Sequence, residues 1–460
     1  MKDYAEVTLE MINRYNRPGP RYTSYPTVPA WKNGSFAEDY THYLQREGQQ
    51  DTPLSLYVHI PFCSRLCTYC GCNHFITRSV CLVDEYLDTL ELELKQTALH
   101  LENRKTIQQF HLGGGTPTHL DIPQLQRLHQ MVSEYFDFAP DGEMALEAHP
   151  RVTTNDQLEL LYELGFRRIS FGVQDLDSQV QHAINRDQTI EQTQRTFYKS
   201  RELGYSSINI DLVYGLPRQT VETFEHTMAI VNEMRPDRLA IYNFAYIPNM
   251  FSAHERAIQD NDLPDPESKV AIYLASIRFF TQVGYRMIGM DHYALETDEL
   301  TVAQNNYTLH RNFMGYTTLR GLSQIGIGVS SISDFGNGYF QNEKDLQSYM
   351  QKIKEGEIPT IRKKTLDADD MLRREVIETL MCQCQLSVSE IEENYQVSFP
   401  QYFANEWETM KAFEAEGLLE FRGNTLQLTK LGILFMRNVA MPFDRYLQSM
   451  GTNRHFSKTV

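Results

Sequence analysis

Four cysteines within ten residues are the clearest chemical feature of the sequence. Cys63, Cys67, Cys70 and Cys72 form the pattern C-x3-C-x2-C-x-C directly after a β-rich run that ends at Phe62. Three thiolates can each bind one iron of a cubane cluster, which leaves the fourth iron open. An open iron can chelate an amine and a carboxylate, and the methionine end of S-adenosylmethionine offers both groups. We therefore predict one 4Fe–4S cluster on Cys63, Cys67 and Cys70.

Two other interpretations of the cysteine loop stay open at this point. A structural zinc site normally needs a second pair of cysteines, or histidines, roughly 12–20 residues away. The chain has no second C-x2-C pair, since Cys382 and Cys384 lie far downstream, although His74 is close. The other alternative is a complete cluster in which Cys72 is the fourth ligand. A disulfide framework is disfavoured, because the seven cysteines are clustered within a long chain.

Length and charge restrict the class of protein. With 460 residues the chain exceeds one ordinary domain. The net charge of −17 argues against general binding to nucleic acid or to anionic membranes. We find no apolar run long enough to span a membrane, and the first residues lack the apolar segment of a secretory signal. We expect a cytoplasmic, monomeric protein that binds neither nucleic acid nor membrane.

An alternation of β-rich and helical segments must position the cysteine loop. Helical periodicity covers residues 83–101, 125–136 and 224–234. The pattern predicts an α/β fold, a partial (β/α) barrel of about six units, whose reactive groups lie at the carboxyl ends of the strands. The β-rich runs are LSLYVHIPF (54–62), IQQFHLGG (107–114), EMALEAHP (143–150), RRISFGVQ (167–174), SINIDLVYG (207–215) and RLAIYNFAY (238–246).

Three regions follow from these patterns. Residues 1–50 are expected to form an N-terminal arm that contains RYTSYPT (21–27), and residues 51–365 the barrel with its extension. Residues 366–460 are predicted to form helices followed by a hairpin at Gly423-Asn424, as in a winged-helix module. Such modules often bind DNA. This one is rich in glutamate and lacks a basic recognition helix, so we interpret it as a substrate cover or packing domain.

The wider motifs resemble a known family. C-x3-C-x2-C after a strand is the pattern of radical S-adenosylmethionine enzymes, and the stretch YVHIPFCSRLCTYCGCN (57–73) is similar to their oxygen-independent coproporphyrinogen oxidase branch. In that branch the cysteine at the position of Cys72 is not a cluster ligand. The resemblance continues through RYTSYPT (21–27), GGGTPT (113–118), GVQD (172–175), NIDLVYGLP (209–217), GMDH (289–292), HRNFMGYTT (310–318) and GVSSIS (328–333).

The resemblance implies two S-adenosylmethionine molecules and a set of site residues. The molecule at the cluster would contact Tyr57, Gly114, Gly115, Thr116, Glu147 and Ile332. The second would contact Tyr69, Gly115, Thr116, Gln174, Arg186, Asp211 and Ala245. Our candidates for the catalytic group are Tyr57, His59, Glu147 and Cys72.

The substrate implied by the resemblance is coproporphyrinogen III, whose four propionates favour arginine partners. The implied reaction uses a 5′-deoxyadenosyl radical to convert two propionates into vinyl groups, which gives protoporphyrinogen IX. A small electron-donor protein of the flavodoxin or ferredoxin type would reduce the cluster. Candidate substrate contacts are Arg21, Tyr22, Tyr25, Arg311 and Phe313. The alternative for RYTSYPT is an arm that only packs on the barrel.

This interpretation has two rivals, and the chain departs from the family pattern at three places. The rivals are a haem-binding chaperone related to the enzyme and a radical enzyme acting on another tetrapyrrole. The family chaperones lack the RYTSYPT arm and the HRNF-x-GYTT motif, both of which are present here. The chain departs from the family pattern at His149, where an aspartate is expected, at Met314, and in the segment 319–326. These departures concern the fit of the substrate.

Overall fold

The computed structural model describes residues 7–102, 106–246, 258–449 and 456–459. Parts of the predicted arm (1–6) and of the predicted C-terminal module (450–455 and 460) lie outside the described residues. All six predicted barrel strands are confirmed. We label them β1 (Leu54–Ile60), β2 (Thr106–Gly114), β3 (Asp137–Ala148), β4 (Arg168–Gln174), β5 (Ser207–Tyr214) and β6 (Arg238–Asn243).

These six strands pair in parallel and in chain order. Parallel strands need crossover connections, and helices that cover both faces favour continuous apolar strands. Six of the seven residues of β1 are buried, as such a strand requires. The crossover helices are Val80–Leu101, Ile122–Tyr135, Asn155–Glu163, Ser178–Ala183, Ile190–Leu203 and Val221–Met234.

The structure adds a seventh parallel strand that the sequence did not predict. Ser323–Ile327 pairs in parallel with β1, and its partner therefore lies almost 270 residues earlier in the chain. The segment is short and contains glycine, so its pattern alone does not identify it as a strand. Antiparallel strands extend the sheet beyond it and beyond β6: Lys32–Asn33, Tyr285–Gly289, His292–Leu295, Ile332–Asp334, Gly338–Asn342 and Thr360–Thr365.

The N-terminal arm is part of this sheet and of its core. Lys32–Asn33 pairs with the strand Thr360–Thr365, and the helix Ala37–Gly48 packs on the helix Val80–Leu101. Trp31 stacks on Tyr339 with ring centroids 5.1 Å apart. Further elements of this half of the molecule are the helices Leu9–Tyr15, Pro266–Gln282, Glu299–Asn305 and Leu346–Lys354, and the hairpin of His310–Asn312 with Gly315–Thr317.

The C-terminal region has the predicted helices and hairpin. Leu419–Arg422 pairs with Thr425–Leu428 around Gly423-Asn424, and Gln385–Ser387 adds a third antiparallel strand that was not predicted. The helices are Ala368–Gln383, Val388–Tyr395, Phe399–Tyr402, Ala404–Ala415, Lys430–Leu434, Met436–Ala440 and Arg445–Ser449. None of the helices within the described ranges combines the length and apolar character that a membrane span requires.

Candidate active site

The carboxyl ends of the barrel strands surround a cavity of about 850 Å³. A second cavity of about 280 Å³ adjoins it and shares Cys72, Gly114 and Glu147 with it. Tyr57 and Ile332 line the smaller cavity. The other cofactor candidates line the larger one: Tyr69, Gly115, Thr116, Gln174, Arg186, Asp211 and Ala245. The structure therefore brings all the predicted cofactor residues to one place.

The cysteine loop lies between two short parallel strands, Phe62–Cys63 and Phe75–Ile76. The Thr77 amide donates to the Cys63 carbonyl at 3.1 Å, which fixes both ends of the loop against each other. Cys63, Cys67 and Cys70 are partly buried and line the large cavity, and Cys72 is exposed at the boundary of the two cavities. One turn of chain thus presents three thiols to a common space.

Polar neighbours favour the thiolate form of these ligands. Arg186 donates through Nη1 to the Cys67 Sγ at 3.4 Å. Hydrogen bonds from Cys72 and His74 hold the pKa of Cys70 well below its usual value. Burial alone acts in the opposite direction and raises the pKa of the Cys63 thiol to about 11. A buried arginine beside the loop is what an anionic thiolate cluster needs for charge compensation.

The glycines after β2 are required by close approach. Gly114 has φ +125°, a left-handed conformation that favours glycine. A Cβ atom on Gly115 would lie 2.6 Å from the Pro61 carbonyl oxygen and 3.0 Å from the Cys63 Sγ. The loop can lie against the cysteine ligands only without side chains. The Gly114 amide also donates to the Glu147 carboxylate at 3.2 Å, so that the ends of β2 and β3 are tied together.

Tyr57 and His59 form a hydrogen-bonded pair at the end of β1. The His59 Nε2 lies 2.9 Å from the Asn73 carbonyl oxygen, and the Nδ1 lies 2.9 Å from the Tyr57 hydroxyl. A carbonyl only accepts, so Nε2 carries the hydrogen and Nδ1 accepts from Tyr57. Burial lowers the pKa of His59, which keeps the ring neutral in this arrangement. The pair links the strand to the residue that follows the last cysteine.

Arg186 and Asp211 also line the large cavity. Arg186 is buried and donates to the Tyr69 hydroxyl at 3.1 Å and to the Gly172 carbonyl. Asp211 accepts hydrogen bonds from Ser170 at 3.0 Å and from Asn209 at 2.7 Å. Burial, followed by the nearby Glu147 charge, raises the pKa of Asp211 to about 7. Arg186 thus offers a fixed cation to the cavity, and Asp211 offers a titratable carboxylate.

The predicted substrate contacts divide into three groups. Arg21 lines the large cavity and is paired with Asp291, and Phe313 lines the smaller cavity. Arg311 is buried and lines neither of these two cavities.

The structure does not bring the other two predicted contacts to the cavities. Tyr22 and Tyr25 are 3% and 0% exposed, and neither lines a cavity of the site. The Tyr22 hydroxyl donates to Asp444, and the Tyr25 hydroxyl accepts from the Arg445 amide. Both rings therefore pack the arm against the C-terminal region, which is the alternative that the sequence had left open for RYTSYPT.

Sequence reasoning missed several polar residues inside the barrel. His111, Ser170, Asn209 and Tyr242 line a third cavity of about 140 Å³ between the strands. His111 lies 3.8 Å from Glu147 and stacks on Tyr57, so it belongs to the same site. The pattern that could have found Asn209 is the period of two along a strand, because it lies two positions before Asp211 and shares its face.

Comparisons with known proteins agree with this geometry. The model of the radical SAM superfamily matches residues 57–231, and the model described as the HemN C-terminal domain matches residues 366–435. The oxygen-independent coproporphyrinogen III oxidase of Salmonella typhimurium is 42% identical over 455 residues, which cover 98% of both chains. The chain belongs to the oxygen-independent coproporphyrinogen III oxidase family.

Other members of the oxygen-independent coproporphyrinogen III oxidase family are similarly close. The protein of that name from Pseudomonas aeruginosa is 40% identical over 462 residues and covers the whole of both chains. The solved structure of coproporphyrinogen III oxidase (HemN) from Escherichia coli, described as a radical SAM enzyme, superposes with a TM-score of 0.91. It is 42% identical and covers 96% of this chain and 99% of its own. The fold and its C-terminal domain are therefore those of the family.

Membership of this family implies a 4Fe–4S cluster and S-adenosylmethionine, and the residues present fit both. The three thiols on one loop are a suitable ligand set for the cluster. Beside Cys63, the position of Gly115 leaves no room for a side chain. The Arg186 Nε is buried without a hydrogen-bond partner, which leaves a donor for an anionic group. A cluster with one open iron explains both the three-cysteine loop and the polar cavity next to it.

Proposed function

We propose that this chain catalyses the oxygen-independent oxidative decarboxylation of coproporphyrinogen III to protoporphyrinogen IX in haem biosynthesis. The observation that carries the proposal is the convergence of three thiols, the glycine loop and Glu147 on one cavity, in a chain of this family. Each reacting propionate loses one hydrogen atom to the 5′-deoxyadenosyl radical, one carbon dioxide, and one electron to a separate one-electron acceptor, and a vinyl group remains. Two of the four propionates react.

The bound cofactors would supply the hydrogen-abstracting radical, and the protein's own residues bind, orient and exclude water. Cys63, Cys67 and Cys70 would hold the cluster. The Glu147 carboxylate, held by the Gly114 amide, would offer an acceptor to S-adenosylmethionine, beside the hydrogen-bonded pair of Tyr57 and His59. Cys72 is exposed between the two cavities, so we assign it to the substrate side and not to the cluster.

The size of the large cavity supports a second S-adenosylmethionine. Its lining offers the Arg186 guanidinium, the Gln174 amide and the Asp211 carboxylate, together with Tyr69 and Ala245. These groups suit the carboxylate, ammonium and ribose hydroxyls of the cofactor. The glycine loop would serve both molecules through Gly115 and Thr116, which also line this cavity.

The cluster also needs an electron from outside. Ile76 is paired in register with Cys63 and is 47% exposed, so the surface at Ile76 lies one strand away from a cluster ligand. We propose that a small ferredoxin- or flavodoxin-type protein delivers the electron there. We further propose a monomeric enzyme that works in the cytoplasm, where thiols stay reduced.

An anaerobic assay tests the function. The protein is reconstituted with iron and sulfide, and is then given a reductant, S-adenosylmethionine and coproporphyrinogen III. Protoporphyrinogen IX, 5′-deoxyadenosine and two carbon dioxide molecules per tetrapyrrole are expected. Cys67→Ser should abolish all three products, whereas Cys81→Ser, at an exposed thiol outside both cavities, should not. Transfer of haem without release of 5′-deoxyadenosine would instead support a chaperone.

A further inference from the structure

Four arginines are buried among the described residues, and one of them has no carboxylate or backbone partner there, only the Tyr316 hydroxyl. Arg238 forms ion pairs with Asp298 at 2.9 Å and with Glu299 at 2.7 Å. Arg437 donates to three backbone carbonyls, and Arg186 donates to Cys67, Tyr69 and Gly172.

Arg311 differs from these three arginines. It is 7% exposed, and both its Nε and its Nη1 are buried without a hydrogen-bond partner.

Arg311 lies at one end of a row of aromatic rings. Its guanidinium carbon is 4.7 Å from the centroid of the Tyr316 ring. Tyr316 is 5.1 Å from His292, and His292 is 5.8 Å from Tyr242, again between ring centroids. The His292 Nδ1 is also buried without a partner. Two polar side chains with unsatisfied nitrogens thus both lie against the Tyr316 ring in one part of the interior.

This row leads into the active site. Tyr316, His292 and Tyr242 all line the cavity of about 140 Å³ inside the barrel. Tyr242 also lines the large cavity, with Asp211 and Glu147. The three carboxylates that line the inner cavity have other partners: Glu143 pairs with Arg168, Glu147 lies beside His111, and Asp211 accepts from Ser170 and Asn209. The inner cavity therefore continues the site towards Arg311.

A buried, unpaired guanidinium destabilises a folded protein unless a ligand satisfies it. We propose that Arg311, with His292, binds a propionate carboxylate of coproporphyrinogen, one that does not react in that turnover. This inference rests on the proposed function and adds an anchor for the substrate separate from the reacting group. A tetrapyrrole with a propionate on every ring can place one carboxylate near the cysteine loop while another points into the barrel. The flat rings between the two positions suit the pyrroles.

The first test compares the stability of two variants. Arg311→Met removes an unpaired charge and should keep or raise the melting temperature. Arg238→Met is the matched control, because Arg238 is buried to the same extent but paired. The control should melt at a lower temperature, since it leaves Asp298 unpaired. If Arg311→Met melts as low as the control, or fails to fold, Arg311 has a structural role and the proposal is wrong.

The second test measures the substrate. Arg311→Met should raise the KM for coproporphyrinogen III by about ten- to a hundredfold, as expected when one charge-assisted hydrogen-bonded contact is lost. Guanidinium ion at millimolar concentration should restore part of the affinity, and urea, its neutral isostere, should not. Arg311→Lys should fall between the variant and the wild type. Binding of fluorescent coproporphyrin III to the loaded enzyme without reductant should weaken in parallel.

The outcomes separate this inference from the proposed function. Failure of the wild-type enzyme to form a vinyl product would contradict the proposed function itself. If the wild type is active, and Arg311→Met has an unchanged KM and unchanged binding of coproporphyrin, only the proposed role of Arg311 as a substrate anchor is contradicted. Binding of S-adenosylmethionine should be equal in both proteins, because Arg311 does not line the large cavity.

Discussion

Asp211 should make the affinity for S-adenosylmethionine depend on pH. Each of its carboxylate oxygens accepts one hydrogen bond, from Ser170 or from Asn209, and both oxygens retain capacity for a ligand. Burial raises the pKa of this carboxyl to about 7. A cationic cofactor binds the ionised form better, so a proton competes with it. Acidification through the pKa should therefore weaken binding, and a more basic pH should strengthen it.

The size of this effect follows from the pKa. For a group titrating at about 7, the ionised fraction falls about tenfold between roughly pH 8 and pH 6. The dissociation constant should rise by about the same factor if the ionised form alone binds. Asp211→Asn cannot ionise. It should bind about tenfold or more weakly at the basic end, where a charge-assisted hydrogen bond is lost, and should show little change with pH.

Equilibrium dialysis of labelled S-adenosylmethionine against the reconstituted enzyme measures this directly across the pH range. Asp88→Asn is a suitable control, because Asp88 is a solvent-exposed acid that pairs with Arg127, and neither residue lines the cavity. It should retain the wild-type pH dependence. A wild-type affinity that does not change with pH would refute the assignment, as would an Asp211→Asn curve parallel to the wild type.

Three further predictions concern the cluster and the support behind it. Cys70→Ser should lose the visible absorbance of the reconstituted cluster and Cys72→Ser should keep it; loss in both would make Cys72 a ligand. Tyr86→Phe should lower the free energy of unfolding by about 2–4 kcal/mol, because a buried carbonyl and a buried amide lose their shared hydroxyl partner; melting equal to that of the exposed-site control Tyr198→Phe would contradict this. Burial raises the pKa of Glu93 to about 7 in the folded protein, whereas the pKa in the unfolded chain is near 4.5. The proton on Glu93 therefore stabilises the fold fully below about pH 4.5, and this stabilisation is lost as the pH rises through 7. The melting temperature of Glu93→Gln should accordingly fall less between about pH 5 and pH 8 than that of the wild type. An equal dependence of melting temperature on pH in the two proteins would contradict this assignment.

The barrel strands could be predicted because local pattern determines them. A parallel strand covered on both faces is a short apolar run, and β1 and β5 have that character in the sequence itself. The cysteine loop was equally accessible, since ligand spacing is a local property. The seventh strand, Ser323–Ile327, was not, because its only parallel partner is a segment far away in the chain. Such pairing is decided by tertiary packing.

The role of the arm could not be read from its residues. RYTSYPT contains arginine and tyrosines, which suit a substrate with rings and carboxylates. Only the fold separates them: Arg21 faces the cavity, whereas Tyr22 and Tyr25 are buried against the C-terminal region. Alternation along an irregular segment has no fixed period, so composition gives no facing direction. Likewise, no sequence feature of Arg311 predicts a buried charge without an ion-pair partner, because ion pairing depends on which residues the fold places around the side chain.

The central claim is that a radical formed in this cavity takes hydrogen from a propionate side chain. The most direct test is isotope transfer, with coproporphyrinogen III that carries deuterium on the propionate carbon next to the ring. Mass analysis should find deuterium in the released 5′-deoxyadenosine, together with divinyl product. Vinyl product that forms while the 5′-deoxyadenosine carries no deuterium would contradict the account.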